Sequence, residues 1–398
     1  MYIGYNEEQE ALRTELRAYY DRLLTPEVKA ELAKEHGIGP TTREITRQMG
    51  KDGWLGIGWP KEWGGQGRSE IEQFVFFDES MRARAPVPML TVNTVGPTLM
   101  MNGSEEQKKR FLPKILAGEI HFCIGYSEPG AGTDLAALQT RADLADDGSG
   151  DYIINGQKLW TSLASDAAYC WLAVRTDQEA DKHGGLSMFL VDMKTPGIRV
   201  DPLDLLSTHD IAAVFYDDVR VPAENLVGGL NQGWKLITGQ LNHERVTLCA
   251  PGMIEGAYDA VVQWAKDTKR PDGRRVIDDE WVQVNLAKVK SGLHALRLLN
   301  WKVAWTAAEG MKLNPADAST IKVYGTEFFL EAFRLMMEVM GQRGYLRPDG
   351  EADELIADGM VETLYRSLLI LTFGGGTNEI QRDLIGLFGL GLPRIPRM

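Results

Sequence analysis

The chain has 398 residues, 44% of them hydrophobic and 25% charged, with 43 Lys+Arg against 56 Asp+Glu for a formal net charge of −13. That length suits two or three domains, and the acidic balance argues against a nucleic-acid partner, because it repels phosphate backbones. Cys123, Cys170 and Cys249 are widely spaced, with no CxxC or Cys/His metal pattern, which argues against a disulfide framework.

From the N-terminus, residues 1–120 read as a helical domain. Leu12, Leu16, Tyr19 and Leu23 recur at helical spacing, and Phe111, Leu112 and Ile115 do the same. The run Met1 to Arg17 is polar and acidic and lacks the apolar stretch of a secretory signal. No apolar run approaches the ~18 residues of a membrane span, so a cytoplasmic protein with no membrane partner is expected. Trp59 to Gly67 reads as a packed turn.

Residues 121–228 switch to short runs of period two: Phe122 to Tyr126, Tyr152 to Ile154, Cys170 to Val174, Ser187 to Val191 and Val214 to Val219. Asn155-Gly156 carries the strongest short signal for a hairpin turn. No helical pattern intervenes, which favours an antiparallel barrel or sandwich. Residues 229–398 return to a helical period, with Val282, Leu286, Val289, Leu293, Leu296 and Leu299 on one stripe. Long helices joined by short loops pack as an antiparallel bundle. The fold class is therefore α+β multidomain: N-terminal helical, middle β, C-terminal four-helix bundle.

Two glycine-rich segments stand out. Glu128-Pro129-Gly130-Ala131-Gly132-Thr133-Asp134 follows a strand, but Leu135 occupies the third glycine position of a dinucleotide fingerprint. Gly374-Gly375-Gly376-Thr377-Asn378-Glu379 lacks the Lys-Ser/Thr of a phosphate loop. His243-Glu244 is no zinc-peptidase motif, since position 247 is Thr. No Gly-x-Ser-x-Gly elbow is present. Taken singly, the first of these glycine segments reads by default as a plain turn.

Taken together they do not. Tyr126 to Asp134, Asn155 to Ser162, Asp218-Val219-Arg220-Val221-Pro222 and Gly376 to Arg382 occur in the order and spacing of the acyl-CoA dehydrogenase family. The chain resembles that family over essentially its whole length. Within it, the chain looks like bacterial enzymes that shorten bulky side chains such as those of steroid acyl-CoAs.

The resemblance implies FAD, held between the β-domain and the C-terminal helices. It implies that Tyr126 and Ser127 bind the ring's pyrimidine edge through their backbone, and that Gly132 belongs to the same cofactor loop. Trp160 packs on the flavin, Ser162 bonds near N5, and Thr377 and Glu379 lie near the ribityl or pyrophosphate arm. Thr133 meets the CoA moiety. Without the resemblance, Trp160 reads as a β-domain core aromatic and Ser162 as a turn residue.

The implied chemistry takes a proton from the α-carbon of an acyl thioester and a hydride from its β-carbon, giving a trans-2-enoyl-CoA. Burial raises a carboxylate's pKa toward working pH, which suits the base. Many family members place that base directly before Gly-Thr in the C-terminal motif, where this chain has Gly375. A second subgroup places it before an Arg at the start of the C-terminal domain, which here is Glu244 in Leu241-Asn242-His243-Glu244-Arg245. By helical pattern alone, Glu244 and Arg245 read as solvated charges. The resemblance makes Glu244 the base, with Asn242, Arg245, Gly375 and Gly376 on the substrate side and the Gly375 N–H available to the thioester oxygen. An oxidase or flavin monooxygenase on the same fold, or a non-catalytic supporting subunit, are the alternatives.

The resemblance also bears on partners. An electron-transfer flavoprotein is the expected electron acceptor. In homotetrameric relatives a neighbouring subunit holds the ADP end of each FAD, using an Arg followed three residues later by Phe-Gly, and a Gln ahead of a glycine-rich turn. Here Lys269 and Asp272 stand at the Arg and Phe positions, and Glu338 stands for the Gln. Negative charge beside a pyrophosphate predicts a chain that receives a nucleotide arm but supplies none. The expectation is a heterotetramer, two of this chain and two of a sister chain. The alternative is a homotetramer in which Arg270, Arg274 or Arg275 substitutes.

Overall fold

The computed structural model describes residues 4–35, 37–206, 210–247, 249–347 and 355–394; the side chains of 241–247 and 357–358 lie outside that description. Helices α1 (Glu7–Leu23), α2 (Pro26–Lys34), α3 (Pro40–Lys51), α4 (Glu70–Ala83), α5 (Gly96–Asn102) and α6 (Glu105–Leu116) come first. Asn6, Ser69 and Ser104 start α1, α4 and α6 as capping boxes with Gln9, Glu72 and Gln107, so each helix begins with two of its orphan N–H groups satisfied. The buried ridge of α1 is Leu12, Leu16 and Tyr20, continued by Leu24. Tyr19 and Leu23 pack half-buried against the same core, and the Tyr19 hydroxyl donates to Asp52 at 2.8 Å. The Trp59 loop is packed: the indole is buried and donates to the Val92 carbonyl at 3.0 Å.

The middle region carries β1 (Phe122–Gly125), β2 (Arg141–Leu144), β3 (Tyr152–Ser162), β4 (Tyr169–Arg175), β5 (Leu186–Asp192), β6 (Ile198–Pro202), β7 (Ile211–Val221) and β8 (Leu226–Val227). They form one sheet in the order β6-β7-β3-β2-β4-β5-β8, with β1 beside β4. Most neighbours are antiparallel as predicted, but β1 and β2 run parallel to β4; long connections make that possible. Along β4, Cys170, Leu172 and Val174 face the β-domain's own core, while Trp171 and Ala173 face the N-terminal helices. All three cysteines are buried free thiols.

The predicted hairpin turn at Asn155-Gly156 is not one. Both residues lie inside β3, at a register shift against β7. Asn155 clasps Asp218 with its side chain, accepting from the Asp218 N–H at 2.9 Å and donating to the carboxylate at 3.0 Å. A Cβ on Gly156 would lie 2.7 Å from the Thr140 Cα. The extra residue of the bulge is on β7, where Asp217 and Asp218 lie opposite Asn155 and Asp218 takes φ of 47°, and Gly156 permits close approach of backbone.

The C-terminal region holds α7 (Gly233–Thr247), α8 (Gly252–Asp267), α9 (Glu280–Ala308), α10 (Pro315–Met340), α11 (Met360–Leu368) and α12 (Asn378–Leu384). The predicted α9 stripe is buried from Val282 to Leu296, with Leu299 packed against its edge. Helix α4 joins this bundle to the N-terminal helices. Its Glu79 receives Arg13 at 2.9 Å and Arg17 at 2.7 Å from α1. Its Asp78 accepts the Gly252 N–H at the start of α8 at 2.6 Å, and burial pushes that carboxyl up to about 6. No helix among the described residues is long and apolar enough to cross a membrane.

Candidate active site

Strand β1 delivers the chain into the loop 126–134, and β3 holds that loop from behind. Lys158 is fully buried; its ammonium donates to the Tyr126 carbonyl at 3.1 Å and to the Glu128 carboxylate at 2.8 Å. Glu128 also accepts the N–H groups of Gln139 and Thr140 at 2.7 and 2.8 Å. Burial pushes the Glu128 carboxyl up, but Lys158 and these N–H donors outweigh it and hold the group below its ordinary value. Leu159 N–H donates to the Ser127 carbonyl at 2.8 Å. The inward side of the loop is thereby satisfied.

Its outward side is open. Gly130, Gly132 and Thr133 are exposed, and a Cβ at either glycine would meet nothing within 4 Å. Neither glycine has positive φ. The chain's own sterics therefore require glycine at neither position, which leaves room for another molecule to lie against the backbone.

Trp160 shares this surface. A second register shift, between Lys158 and Thr161, puts it in a bulge with φ of 64°. A bulge re-aims a side chain, and a left-handed non-glycine residue costs roughly 1–2 kcal/mol. The indole is 54% exposed, so Trp160 is not a core aromatic. Ser162 ends β3 half-buried opposite Ile211, and the buried Thr161 hydroxyl has no hydrogen-bond partner among the described residues.

A second glycine loop lies on α10. Lys322, also fully buried, donates to the carbonyls of Thr372 and Gly376 at 3.1 and 2.6 Å and to the Asn378 side chain at 2.7 Å. Gly375 and Gly376 take φ of 68° and 93°, conformations that favour glycine. Thr377 caps α12, its hydroxyl accepting the Ile380 N–H at 3.3 Å. Glu379 is exposed in the first turn of that helix.

Helix α7 runs between the two loops. Gln240 accepts the Tyr126 hydroxyl at 2.5 Å. Just past the helix, the Cys249 thiol contacts the Lys322 carbonyl at 3.9 Å. Asn242, Glu244 and Arg245 sit on the α7 segment between these anchors, and their side chains lie outside the described residues.

The segment 268–279 binds its own cations. Arg270 pairs with Asp279 at 2.7 Å, Arg274 with Asp272 at 2.9 Å and Asp279 at 3.0 Å, and Arg275 with Asp278 at 2.6 Å. Glu338 pairs with Arg334 and accepts from Asn285 at 3.1 Å.

Lys158, Lys322 and Gln240 were not singled out by the motifs. Period two did carry a signal for Lys158, which shares the inward parity of Tyr152 and Ile154. The other two occupy buried stripes of helices in which a lone polar residue reads as surface.

A helical domain, a sheet whose loops present glycine backbone and an exposed indole, and a helical bundle that returns a second glycine loop define the class: the chain belongs to the acyl-CoA dehydrogenase family. It matches that family's N-terminal domain over residues 6–119, its middle domain over 123–219 and its C-terminal domain over 231–388. It is similar to acyl-CoA dehydrogenase FadE26 of Mycobacterium tuberculosis, 52% identical with 100% of both chains covered. It is also similar to a chain in the crystal structure of the ChsE4-ChsE5 complex from Mycobacterium tuberculosis, at 51% identity and a TM-score of 0.92, covering 99% of this chain and 100% of that one. The Tcur3481-Tcur3483 steroid ACAD matches at 46% identity and a TM-score of 0.91, with 99% and 100% covered. The protein is an enzyme of this family, whose members are flavoproteins.

Proposed function

We propose that the chain holds FAD and dehydrogenates a bulky, steroid side-chain-like acyl-CoA to the trans-2-enoyl-CoA, with Glu244 as the base. The observation that carries this reading is the course of α7, tied at Gln240 to the 126–134 loop and at Cys249 to the helix that carries the second glycine loop. The residues fit a flavin: two glycines unforced by their own chain and an indole held outward in a strained bulge offer backbone N–H groups and an aromatic face. FAD, when bound, supplies the acceptor for two electrons and the β-hydrogen.

The chain's own residues do the rest. The Glu244 carboxylate takes the proton from the α-carbon. The Gly375 N–H donates to the thioester oxygen as negative charge develops there. Arg245, Asn242 and Gly376 hold the CoA-bearing ligand, and Thr133 meets its CoA portion. Tyr126, Ser127, Gly132, Trp160 and Ser162 line the ring's side of the cofactor, and Thr377 and Glu379 its arm. The two similar structures, the ChsE4-ChsE5 complex and the Tcur3481-Tcur3483 steroid ACAD, support the substrate class and the assembly. An electron-transfer flavoprotein is the proposed acceptor.

We infer further that the protein is a heterotetramer with a sister chain. Arg270, Arg274 and Arg275, the cations that could replace a missing phosphate contact, are each engaged by a local carboxylate. Asp272 and Glu338 at about 4 Å from a phosphate charge would oppose it by about 1 kcal/mol in water and about 4 kcal/mol at an effective dielectric of 20.

Glu244→Gln tests the base: bleaching of the flavin by substrate should slow by about 10²–10⁴-fold with flavin content unchanged. Bleaching at the wild-type rate would remove Glu244 from the role. Expression of this chain alone and with its sister, with mass and flavin per chain measured, tests the assembly. A fully active homotetramer with one FAD per chain would refute it.

A further inference from the structure

Among the described side chains of α7, residues 233–240, the buried ones are Gly233, Leu236, Ile237 and Gln240. The first three suit an apolar stripe; the fourth is an amide only 2% exposed. A buried amide is costly unless it is hydrogen-bonded, so its partner is the reason for its presence. Its Oε1 accepts the Tyr126 hydroxyl at 2.5 Å, and that hydroxyl accepts the indole N–H of Trp171 at 3.1 Å. The indole N–H donates to the Tyr126 hydroxyl and that hydroxyl donates to the amide oxygen, so the chain runs from Trp171 to Tyr126 to Gln240. The amide Nε2 is buried and has no hydrogen-bond partner among the described residues.

The two ends of this chain differ in kind. Trp171 is fully buried on β4, in the core shared with the N-terminal helices. Gln240 is on α7, one helical turn before position 244. The middle member, Tyr126, opens the loop 126–134 and offers its carbonyl to Lys158. One residue therefore ties the loop, the sheet core and α7 together.

We propose that Tyr126 and Gln240 are positioning residues for the dehydrogenation. Their bond sets the rotation and axial position of α7 against the 126–134 loop and so holds position 244 in register with the cofactor site. The inference rests on the reading of Glu244 as base and of the loop as cofactor-binding. Packing alone would be met by two apolar residues of similar volume; an oriented bond across the joint adds a fixed register.

The test uses the holoenzyme purified with its partner chain, as Tyr126→Phe, Gln240→Met, the double variant and Gln240→Glu. Three quantities are measured: the rate of flavin bleaching at saturating acyl-CoA, the dissociation constant of the acyl-CoA, and hydrogen exchange of the amides of residues 234–247. Each single variant should bleach about 10-fold more slowly, since small misplacement of a reacting group is costly, and should exchange faster along α7. The dissociation constant should stay within about twofold. The double variant should match the singles, because members of one chain do not add. Gln240→Glu keeps an acceptor for Tyr126 and should retain α7 protection, which keeps the test decisive if Gln240→Met fails to fold.

Wild-type bleaching and exchange in both singles, or multiplied losses in the double, would overturn the proposal. Glu244→Gln measured alongside separates the two readings. If it bleaches normally, the base assignment fails while α7 exchange still reports on the bond; if it is slow while Tyr126→Phe is not, the positioning role alone fails.

Discussion

Lys158 in the β-domain and Lys322 in the helical bundle are both fully buried, and each donates to the backbone of a glycine-bearing loop. They differ in what surrounds the ammonium. Lys158 meets the carboxylate of Glu128, which is itself held by two backbone N–H groups. Lys322 donates to the neutral oxygens of Thr372, Gly376 and Asn378. The first loop is fastened by a charge pair, and the described partners that fasten the second are neutral oxygens. A buried ion is tolerated when it is paired and hydrogen-bonded, and the two loops show the pair and the hydrogen bonds carrying that requirement in different proportions.

The largest effect should come from Lys158→Met. It strands the Glu128 carboxylate in the interior, and breaking one side of a buried pair costs about 3–5 kcal/mol. Chemical denaturation measures the loss, and Lys158→Met/Glu128→Gln should recover part of it; equal stability of single and double variants would break the charge-pair account. Lys322→Met should cost less, about 1–3 kcal/mol, the cost of leaving its described partners, which are neutral oxygens, without a donor. A larger loss at 322 than at 158 would reverse the comparison.

Acid should sharpen it with the smallest effect. Glu128 is depressed below its ordinary 4.5. Its contribution is therefore fully present above that value and is lost as pH falls through the depressed folded value. Hydrogen exchange below pH 4.5 should rise first in 126–140, ahead of 372–378. Uniform loosening of both loops would show that Glu128 has no special share.

The helical–β–helical order was readable because periodicity survives in stripes such as Val282 to Leu296 and in the alternation of Cys170 to Val174. Asn155-Gly156 misled because a dipeptide suited to a turn also suits a strand opposite a bulge: Gly156 takes φ of 151°, and only the Asp218 clasp and the contact with Thr140 decide between them. Trp160 was legible as a residue but not as an exposed one, since a bulge breaks the parity that would have placed it. The buried lysines and Gln240 escaped because their partners are backbone carbonyls and a distant tyrosine, which no local spacing encodes.

The contact between Asp78 and the Gly252 N–H spans 174 residues, and that span has a meaning in time. Glu79 has its partners, Arg13 and Arg17, on the nascent chain before it is made. Asp78 must wait. At about 5–20 residues per second, translation from one residue to the other takes on the order of 10–35 s. A ribosome-bound chain shorter than Gly252 therefore carries α4 with one acidic neighbour already matched and the other still needing water. The Asp78 contact is therefore completed only after α8 has been made, and it joins two parts of the chain with the β-domain between them.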